Sequence, residues 1–338
     1  MKNNSLDTFS PIFIVGSSRS GTTMMNRVLD NHENVSALNE LHYLGDIWDI
    51  SKPMEPILRE EALDAASVLI MHIRRGLWAG RVSAEEEIHA EEILATRTYW
   101  THQDIYQEVL KAESDYGRKF ITDQTPRNVF FVDKILELFP GARIIHMIRD
   151  PRAVLYSQRN RWKKKWLGAS SMPMRNVLRV LCNYHPYTFS RLWRKSAHIA
   201  LKHKNGDRYK VVVFEQFVSQ PESVARDICQ FLDLEFHVEM LSVPQVGSSN
   251  KIHDYGKNGI TADVVNVWKC NLPKGDVYIC ETVVSDLLKE FGYNYISRKN
   301  WIFCTIGSLL RFPFHILGSM LLNPKVIYVQ IKALADLR

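Results

Sequence analysis

The chain has 338 residues, of which 46% are hydrophobic and 24% charged, so it can form one large globular domain or two small ones. Its formal net charge of +6 favours an anionic ligand or surface. Its five cysteines stand far apart without a C-x-x-C spacing, which argues against a disulfide framework or a zinc site and favours a reducing compartment. We expect no bound metal ion.

β-type runs and helical patterns alternate along the chain. The β-type runs are Ile12–Val15, Lys119–Thr122, Arg143–Ile148 and Tyr209–Phe214, with a weaker fifth at Val35–Leu38. Helical patterns cover Thr22–Asn31, Glu55–Arg75, Ala84–Ala95, Gln103–Ser114, Val129–Phe139, Pro151–Arg161, Val177–Lys202, Pro221–Leu232 and Asp276–Phe291. This order predicts an α/β fold with a P-loop-like parallel sheet flanked by helices. Because the first run begins about ten residues in, we expect no signal peptide.

The segment GSSRSGTT follows the first β-type run. It fits the phosphate-loop pattern G-x-x-x-x-G-K-[ST] at Gly16, Gly21 and Thr23, but Thr22 replaces the lysine and Arg19 is its only cation. Glycines let the backbone wrap an anion, and the next helix points its first amides at that anion. The alternative is an ordinary strand–turn–helix connection whose Ser and Thr side chains cap the helix.

The run Arg143–Ile148 ends in Arg149-Asp150-Pro151-Arg152, at the edge of the sheet where ligands bind in such folds. On the following helix, Ser157 and Arg161 share one face, and Arg149 lies near the start of that row. An arginine fork with a hydroxyl suits a phosphate dianion. A surface helix with salt bridges explains the same residues if they are considered alone.

Glu40 follows the run Val35–Leu38. A carboxylate beyond a strand and beside a phosphate loop could act as a general base. The same spacing also fits a surface charge or the start of a helix.

Three segments together resemble the sulfotransferases that use 3′-phosphoadenosine 5′-phosphosulfate. SRSGTT resembles their 5′-phosphosulfate loop, and ARIIHMIRDPRAVLYS, from Ala142 to Ser157, resembles their 3′-phosphate segment. The stretch from Val211 to Leu234 is similar to a third run of the family, and the segments that begin TPRN at Thr125 and VWKC at Val267 match the style of bacterial carbohydrate-type and tyrosylprotein-type members. The resemblance covers Ile12 to Tyr293 and implies the sulfotransferase fold, this donor and no metal.

The resemblance implies roles for individual residues. Arg19 would lie at the bridging oxygen of the donor and stabilise the leaving phosphate. Glu40, 21 residues after Arg19, would be the general base as in tyrosylprotein-type members, with His42 as the rival base. The implied donor contacts are Ser18, Arg19, Ser20, Gly21, Thr22, Thr23, Arg149, Ser157, Arg161, Phe214, Ser249, Lys257 and Lys269.

Two positions depart from the family pattern. Phe214 stands where related strands often have a tyrosine, so it can stack on the nucleotide but cannot donate a hydrogen bond. Gln124 replaces a lysine that contacts sulfonate or acceptor in some relatives, which removes one cationic contact. Gln124, Arg127 and His42 are the predicted acceptor contacts, and the choice between Lys257 and Lys269 stays open.

The predicted domain covers 1–297, and 298–338 form a hydrophobic amphipathic tail. Within Trp301–Leu322 the polar residues fall on one helical stripe opposite an apolar face, and Pro313 should kink or break the helix. The polar stripe comprises Thr305, Ser308, Arg311, His315 and Ser319. This pattern predicts a helix lying in a membrane interface. The alternative is packing on the domain or on the partner subunit of a homodimer.

The sequence thus predicts a sulfuryl transferase acting on an acceptor hydroxyl, with a carbohydrate or glycolipid as first choice and protein tyrosine as the alternative. A P-loop kinase or NTPase is disfavoured because the lysine after Gly21 is absent. The cationic run Arg159 to Lys165 has no accompanying nucleic-acid motif, so we expect no nucleic-acid partner. We expect a cytoplasmic protein, peripheral on the inner face of the cytoplasmic membrane.

Overall fold

The computed structural model describes residues 9–52, 54–77, 79–114, 118–161, 174–244 and 258–322. Its centre is one five-stranded sheet with the order β2-β3-β1-β4-β5, and every neighbouring pair is parallel. The strands are β1 Ile12–Gly16, β2 Val35–Ala37, β3 Phe120–Asp123, β4 Arg143–Ile148 and β5 Tyr209–Val213. The predicted α/β class is confirmed, and each strand lies within one residue of its predicted bounds.

Helices cover both faces of this sheet. They are α1 Thr22–Asp30, α2 Arg59–Arg75, α3 Ala84–Leu94, α4 His102–Glu113, α5 Val132–Leu138, α6 Pro151–Arg159, α7 Met174–Asn183, α8 Pro186–His203, α9 Phe214–Ser219, α10 Pro221–Leu232, α11 Trp268–Asn271, α12 Lys274–Val283 and α13 Ile306–Leu322. Short 3-10 helices at Pro126–Phe131, Val238–Leu241, Lys289–Phe291 and Lys299–Thr305 complete the described elements.

Two apolar cores sandwich the sheet. Along β1, Phe13 belongs to the core on one face, whereas Ile12 and Ile14 belong to the core on the other face. Neighbouring β4 divides in the same way, with Ile144 in the first core and Ile145 in the second. Side chains alternate across a strand, so a strand buried on both faces reads as a continuous apolar run.

Four predicted helices differ from the observed ones by more than two residues, and the first of them, Glu55–Arg75, begins only at Arg59. The predicted helix Val177–Lys202 is two helices, because Pro186 takes the first position of α8 and His185 caps it by accepting from the Tyr187 amide. The predicted helix Val129–Phe139 begins as a 3-10 turn and becomes α5 only at Val132. The predicted helix Asp276–Phe291 ends as α12 at Val283 and resumes as a 3-10 turn.

The described part of the tail packs on the domain. The turn Lys299–Thr305 leads into α13, which runs through Pro313 without ending there. The predicted break at this proline is therefore not observed. The tail contacts α7 and α12, and Gly275 on α12 lies so close that a Cβ atom there would meet the Cys304 carbonyl oxygen at 2.2 Å.

The strand order indicates at which edge of the sheet a ligand can bind. The chain passes from β1 to β2 and β3 on one side, and then to β4 and β5 on the other. Because strand order reverses beside β1, a crevice forms there at the carboxyl ends of the strands. Gly16, the last residue of β1, pairs with Met147 of β4, and a Cβ at Gly16 would lie 2.4 Å from the Met147 carbonyl oxygen. The loop after Gly16 therefore starts directly against β4.

Candidate active site

The loop between β1 and α1 is a tight turn with three residues in left-handed backbone. Gly16, Arg19 and Gly21 have φ angles of 148°, 78° and 97°. Positive φ is unusual for arginine and indicates a constrained functional turn. No side chain caps α1 at Gly21, so its first backbone amides are available to an anion.

Hydroxyl groups surround this turn. Ser20 is fully buried, and its Oγ has no hydrogen-bond partner among the described residues. Buried polar atoms are nearly always paired, so this orphan fits a loop built for a ligand oxygen. The Thr22 hydroxyl accepts a 3.0 Å hydrogen bond from Gln124, while Ser18 and Thr23 are exposed.

The second predicted anion segment meets this loop directly. Arg19 Nε donates to Ser157 Oγ on α6 at 3.0 Å. Arg149 Nη1 donates to the Arg19 carbonyl oxygen at 3.1 Å. The buried Arg149 Nε has no partner in the part of the chain that the structure describes. Two segments predicted separately from the sequence therefore form one cationic cleft.

Phe214 lies beneath this cleft. The Arg149 guanidinium sits 4.3 Å from the centre of the Phe214 ring, and Arg149 Nη2 donates to the Val264 carbonyl oxygen at 3.5 Å. The same ring packs so closely on Gly21 that a Cβ there would lie 2.4 Å from it. Phe214 thus supports both the loop glycine and the arginine, by packing and by a cation–π contact.

The cleft concentrates positive charge. Burial, together with the neighbouring cations Arg161 and Arg149, lowers the pKa of Arg19 to about 10, against the opposing pull of Glu40. Burial likewise lowers the pKa of Arg149. A multivalent anion would stabilise the charge of Arg19, which burial and the two neighbouring guanidinium groups disfavour.

Glu40 lies beyond β2, near enough to Arg19 and Arg161 to interact with their charges. Its Oε2 is 3.0 Å from Nε2 of His42, and Nδ1 of His42 is 3.5 Å from a carboxylate oxygen of Asp46. Arg127 is the last of these connected side chains, since its Nη1 donates to both oxygens of Asp46 at 2.7 Å. Carboxylates and cations therefore alternate across four side chains.

These contacts set the ionisation of the pair. Burial would raise the pKa of Glu40, but the hydrogen bond and charge of His42, with Arg161 and Arg19, outweigh it and lower the pKa. Burial would lower the pKa of His42, but hydrogen bonds to Asp46 and Glu40 outweigh it and raise the pKa to about 9. At neutral pH Glu40 is a carboxylate and His42 an imidazolium.

The end of β3 holds this segment in place. The amides of Leu41 and His42 donate to Thr125 Oγ1 at 2.9 and 3.3 Å, and Thr125 Oγ1 donates to Asp123 at 2.5 Å. His42 has a φ of 52°, which these contacts maintain. Thr125, Asp123 and Asp46 were not among the predicted site residues. Thr125 and Asp123 had a positional signal, because the segment TDQT ends β3 at the ligand-binding edge, whereas Asp46 had none.

The remaining predicted residues lie around the cleft or outside it. Gln124 is buried and positions Thr22, so its amide faces the loop. Lys269 on α11 is exposed and lines a cleft of about 320 Å³ with Lys274 and Trp301, and that cleft includes no residue of the phosphate loop. Ser249 and Lys257 lie outside the described residues. Within the described ranges no group of three His, Cys, Asp or Glu side chains is arranged to hold a metal ion.

Comparisons with known proteins identify the family. The family model described as "Sulfotransferase family" matches residues 11–238. The protein-tyrosine sulfotransferase of Drosophila melanogaster is 24% identical over 297 residues, covering 84% of this chain and 51% of that protein. The nodulation protein NoeE of Sinorhizobium fredii is 22% identical over 293 residues, covering 83% of this chain and 65% of that protein. The chain thus spans about half to two thirds of these relatives.

A solved structure shows the same fold. The sulfotransferase domain of the Synechococcus PCC 7002 olefin synthase matches with a TM-score of 0.56 at 20% identity. The match covers 88% of this chain and 99% of that domain. With a family model that spans two thirds of the chain and the predicted sheet in place, the chain belongs to the sulfotransferase family.

Proposed function

We propose that this protein transfers a sulfuryl group from 3′-phosphoadenosine 5′-phosphosulfate to an acceptor hydroxyl, without a metal ion. The observation that carries the proposal is the joining of Arg19, Ser157 and Arg149 into one cationic cleft that faces the carboxylate of Glu40. Family membership supports the reaction class. The cleft supplies an anion site, and Glu40 supplies a base.

The residues of the cleft fit the two anionic groups of the donor. The uncapped amides of α1 and the orphan hydroxyl of Ser20 would hold the phosphosulfate end. Arg149, Ser157 and Arg161 would hold the 3′-phosphate, with the unpartnered Arg149 Nε as one donor. When bound, the donor supplies a sulfuryl group whose bond to the 5′-phosphate breaks as the acceptor oxygen bonds to sulfur.

Glu40 is the better of the two candidate bases. A general base must be deprotonated, and the lowered pKa of Glu40 keeps it so at neutral pH. His42 is the conjugate acid up to about pH 9, because its two carboxylate partners stabilise the imidazolium. We therefore assign proton removal from the acceptor to Glu40 and orientation of Glu40 to His42. Arg19 would stabilise the charge that develops on the leaving phosphate.

The charges beside Glu40 favour a neutral acceptor. Glu40 and Asp46 balance His42 and Arg127, so this side of the site carries no net charge when all four are ionised. A carbohydrate or glycolipid hydroxyl suits such a surface better than an acidic peptide, which needs excess cations. Two relatives bear names that point to tyrosine and to nodulation, so protein tyrosine remains the alternative acceptor.

The cellular setting follows from two features. All five cysteines are unpaired, which supports a reducing compartment such as the cytoplasm. The stretch Lys299–Leu322 is apolar in composition, and most of its apolar side chains are exposed. We propose a cytoplasmic enzyme held at the membrane through its tail.

The test is transfer of labelled sulfate. The purified protein is incubated with the ³⁵S-labelled donor and a panel of neutral oligosaccharides, glycolipids and tyrosine peptides, with Glu40→Gln as the inactive control. We expect labelled product with a sugar or glycolipid that depends on Glu40 and persists in EDTA. If only the tyrosine peptides were labelled, the acceptor would be protein tyrosine instead of a sugar or glycolipid. Transfer unaffected by Glu40→Gln would refute the assigned base.

A further inference from the structure

The tail helix, α13, turns its polar side towards the domain, which is the reverse of an ordinary surface helix. Surface helices bury an apolar stripe and expose the polar one. In α13 the side turned to the domain carries Ser308, Phe312, His315 and Ser319. Apart from Phe312, its large apolar residues from Ile306 to Leu321 point outward.

Polar contacts fix this orientation. Ser308 Oγ donates to the buried carboxylate of Asp276 at 2.8 Å, and Ser319 Oγ donates to Asn183. His315 Nδ1 lies 3.2 Å from the Cys182 carbonyl oxygen. These hydrogen bonds lie along the helix, so rotating it to hide its apolar side would break all of them. Arg311, predicted in the polar stripe, lies on the exposed side, since Phe312 takes the inward place.

The outward face is a continuous apolar surface on the tail. Leu310, Phe314 and Leu321 expose 68, 75 and 74% of their surface, and Phe303 in the preceding turn exposes 73%. The other exposed apolar residues of this surface are Ile302, Ile306, Leu309, Ile316, Leu317 and Met320. Monomeric soluble proteins seldom expose so many contiguous apolar side chains, which mark an interaction site.

The charges around this apolar face identify its partner. From Ile296 to Ala335 the sequence contains no Asp or Glu, but it contains Arg298, Lys299, Arg311, Lys325 and Lys332. The cleft beside the tail adds the exposed Lys269 and Lys274, and Lys274 Nζ lies 5.6 Å from the Trp301 ring centre. An apolar face with cations and a tryptophan beside it complements an anionic lipid surface.

The packing also decides how the helix would meet lipid. α13 has 17 residues and is about 26 Å long, which is slightly shorter than the hydrocarbon core of a bilayer. Its polar side is hydrogen-bonded to the domain, so lipid cannot surround it. The geometry suits a helix that lies in the plane of the interface with one face in the acyl boundary.

We infer that the outward face of α13 docks the protein on an anionic bilayer, with Leu310 and Phe314 in the acyl boundary and the flanking cations at the headgroups. The surface lies on the tail, apart from the residues assigned to sulfuryl transfer. Docking is therefore independent of the proposed reaction and is tested without it. It would bring the enzyme to acceptors at the membrane.

The experiment is flotation of the full-length protein with vesicles. Vesicles of phosphatidylcholine with 30% phosphatidylglycerol, about a third anionic lipid, are compared with pure phosphatidylcholine. The tail variant is Leu310→Gln with Phe314→Gln. Its matched control is Leu58→Gln with Ile88→Gln, two residues that are 76 and 60% exposed elsewhere on the domain. Binding of adenosine 3′,5′-bisphosphate and light scattering check folding and oligomeric state.

We expect the unaltered protein and the control to float with the anionic vesicles, and the tail variant to lose binding at least about tenfold. Neutral vesicles should bind at least about tenfold more weakly than anionic ones, because several cations contribute. Failure of the unaltered protein to float, or equal flotation of the tail variant, would overturn the inference. A dimer that the tail variant splits, with no vesicle binding, would assign the face to a second copy of the chain and overturn it as well.

Discussion

Arg19 and Ser157 are separated by 138 residues in the chain, yet Arg19 Nε donates a 3.0 Å hydrogen bond to Ser157 Oγ. One residue belongs to the loop after β1 and the other to α6 after β4. The bond therefore joins the two segments that we propose bind the donor. Preorganised donors of this kind reduce the cost of ordering the site on binding.

Removing this hydroxyl should weaken donor binding. Ser157→Ala deletes the link to Arg19 and one proposed contact to the 3′-phosphate, so we expect about a tenfold loss of affinity for adenosine 3′,5′-bisphosphate. Isothermal calorimetry measures it. Ser219→Ala is the matched control, because Ser219 lies at the exposed end of α9 and donates only to the Gln216 carbonyl oxygen. Equal affinity of the Ser157 and Ser219 variants would contradict the role of Ser157.

The cleft should discriminate between nucleotides. It lacks the lysine that holds β- and γ-phosphates in NTPases, and the buried guanidinium of Arg149 is the group that we propose for a 3′-phosphate. We expect adenosine 3′,5′-bisphosphate to bind at least about 100-fold more tightly than ATP, with no effect of EDTA. Arg149→Lys should erase most of this difference, since an ammonium group cannot form two parallel hydrogen bonds. Magnesium-dependent ATP binding of similar strength would refute the donor assignment.

Catalysis should depend on Glu40 more than on its neighbours. Glu40→Gln keeps the shape of the side chain but cannot accept a proton, so turnover should fall by about 10²–10⁴-fold while affinity for adenosine 3′,5′-bisphosphate stays within about threefold. Glu33→Gln, an exposed carboxylate just before β2, serves as control and should be fully active. His42→Gln should cost less than Glu40→Gln. The reverse order would make His42 the base.

The residues of the cationic cleft were easier to predict from the sequence than the contacts of Glu40. Glycine spacing and the R-D-P-R segment are local patterns, so Arg19, Arg149 and Ser157 could be named before their contacts were known. Ion pairs and hydrogen bonds connect Glu40, His42, Asp46 and Arg127. Arg127 is more than 80 positions from the other three, and only the tertiary fold brings it beside them.

The positions of helix ends also depend on tertiary structure and were predicted less well. Hydrophobic periodicity predicted a single helix where His185 and Pro186 in fact end one helix and begin another. The tail pattern placed Ser308, His315 and Ser319 together on one stripe, as the structure does, but it also placed Arg311 there, and periodicity has no direction. The structure turns the polar stripe inward because Asp276 and Asn183 offer it hydrogen bonds.

The free energy of unfolding should decrease in mild alkali, because folded His42 loses its proton there. Its pKa is raised from 6.5 to about 9 in the folded protein, so its contribution to stability is fully present below pH 6.5 and is lost as pH rises to about 9. Glu40 acts in the opposite sense, since its lowered pKa adds stability above pH 4.5 that is lost on acidification. Urea unfolding at pH 6 and pH 9 measures the free energy of unfolding. The decrease between these values should be smaller in His42→Gln; an unchanged decrease would show that His42 does not titrate this way.

We expect the tail to unfold together with the domain, because Asp276 connects the two. This carboxylate is 1% exposed and accepts hydrogen bonds from Arg159 at the end of α6, from Tyr184 and from Ser308 of α13. Removing a buried charge leaves its partners unpaired, so Asp276→Asn should lower the free energy of unfolding by about 2–4 kcal/mol. Ser308→Ala, which removes one donor, should cost about 1 kcal/mol.

The matched control is Asp286→Asn, because Asp286 pairs with Arg194 while 48% of its side chain is exposed, and surface pairs contribute about 0–1 kcal/mol. Urea denaturation gives the three values, and limited proteolysis reports release of α13. Truncation after Tyr295 removes the Ser308 donor and the packing on Gly275, so it should destabilise the domain as well as release it from membranes. If Asp276→Asn were as stable as Asp286→Asn and the truncated chain kept the full unfolding free energy, the tail would be a separate appendage.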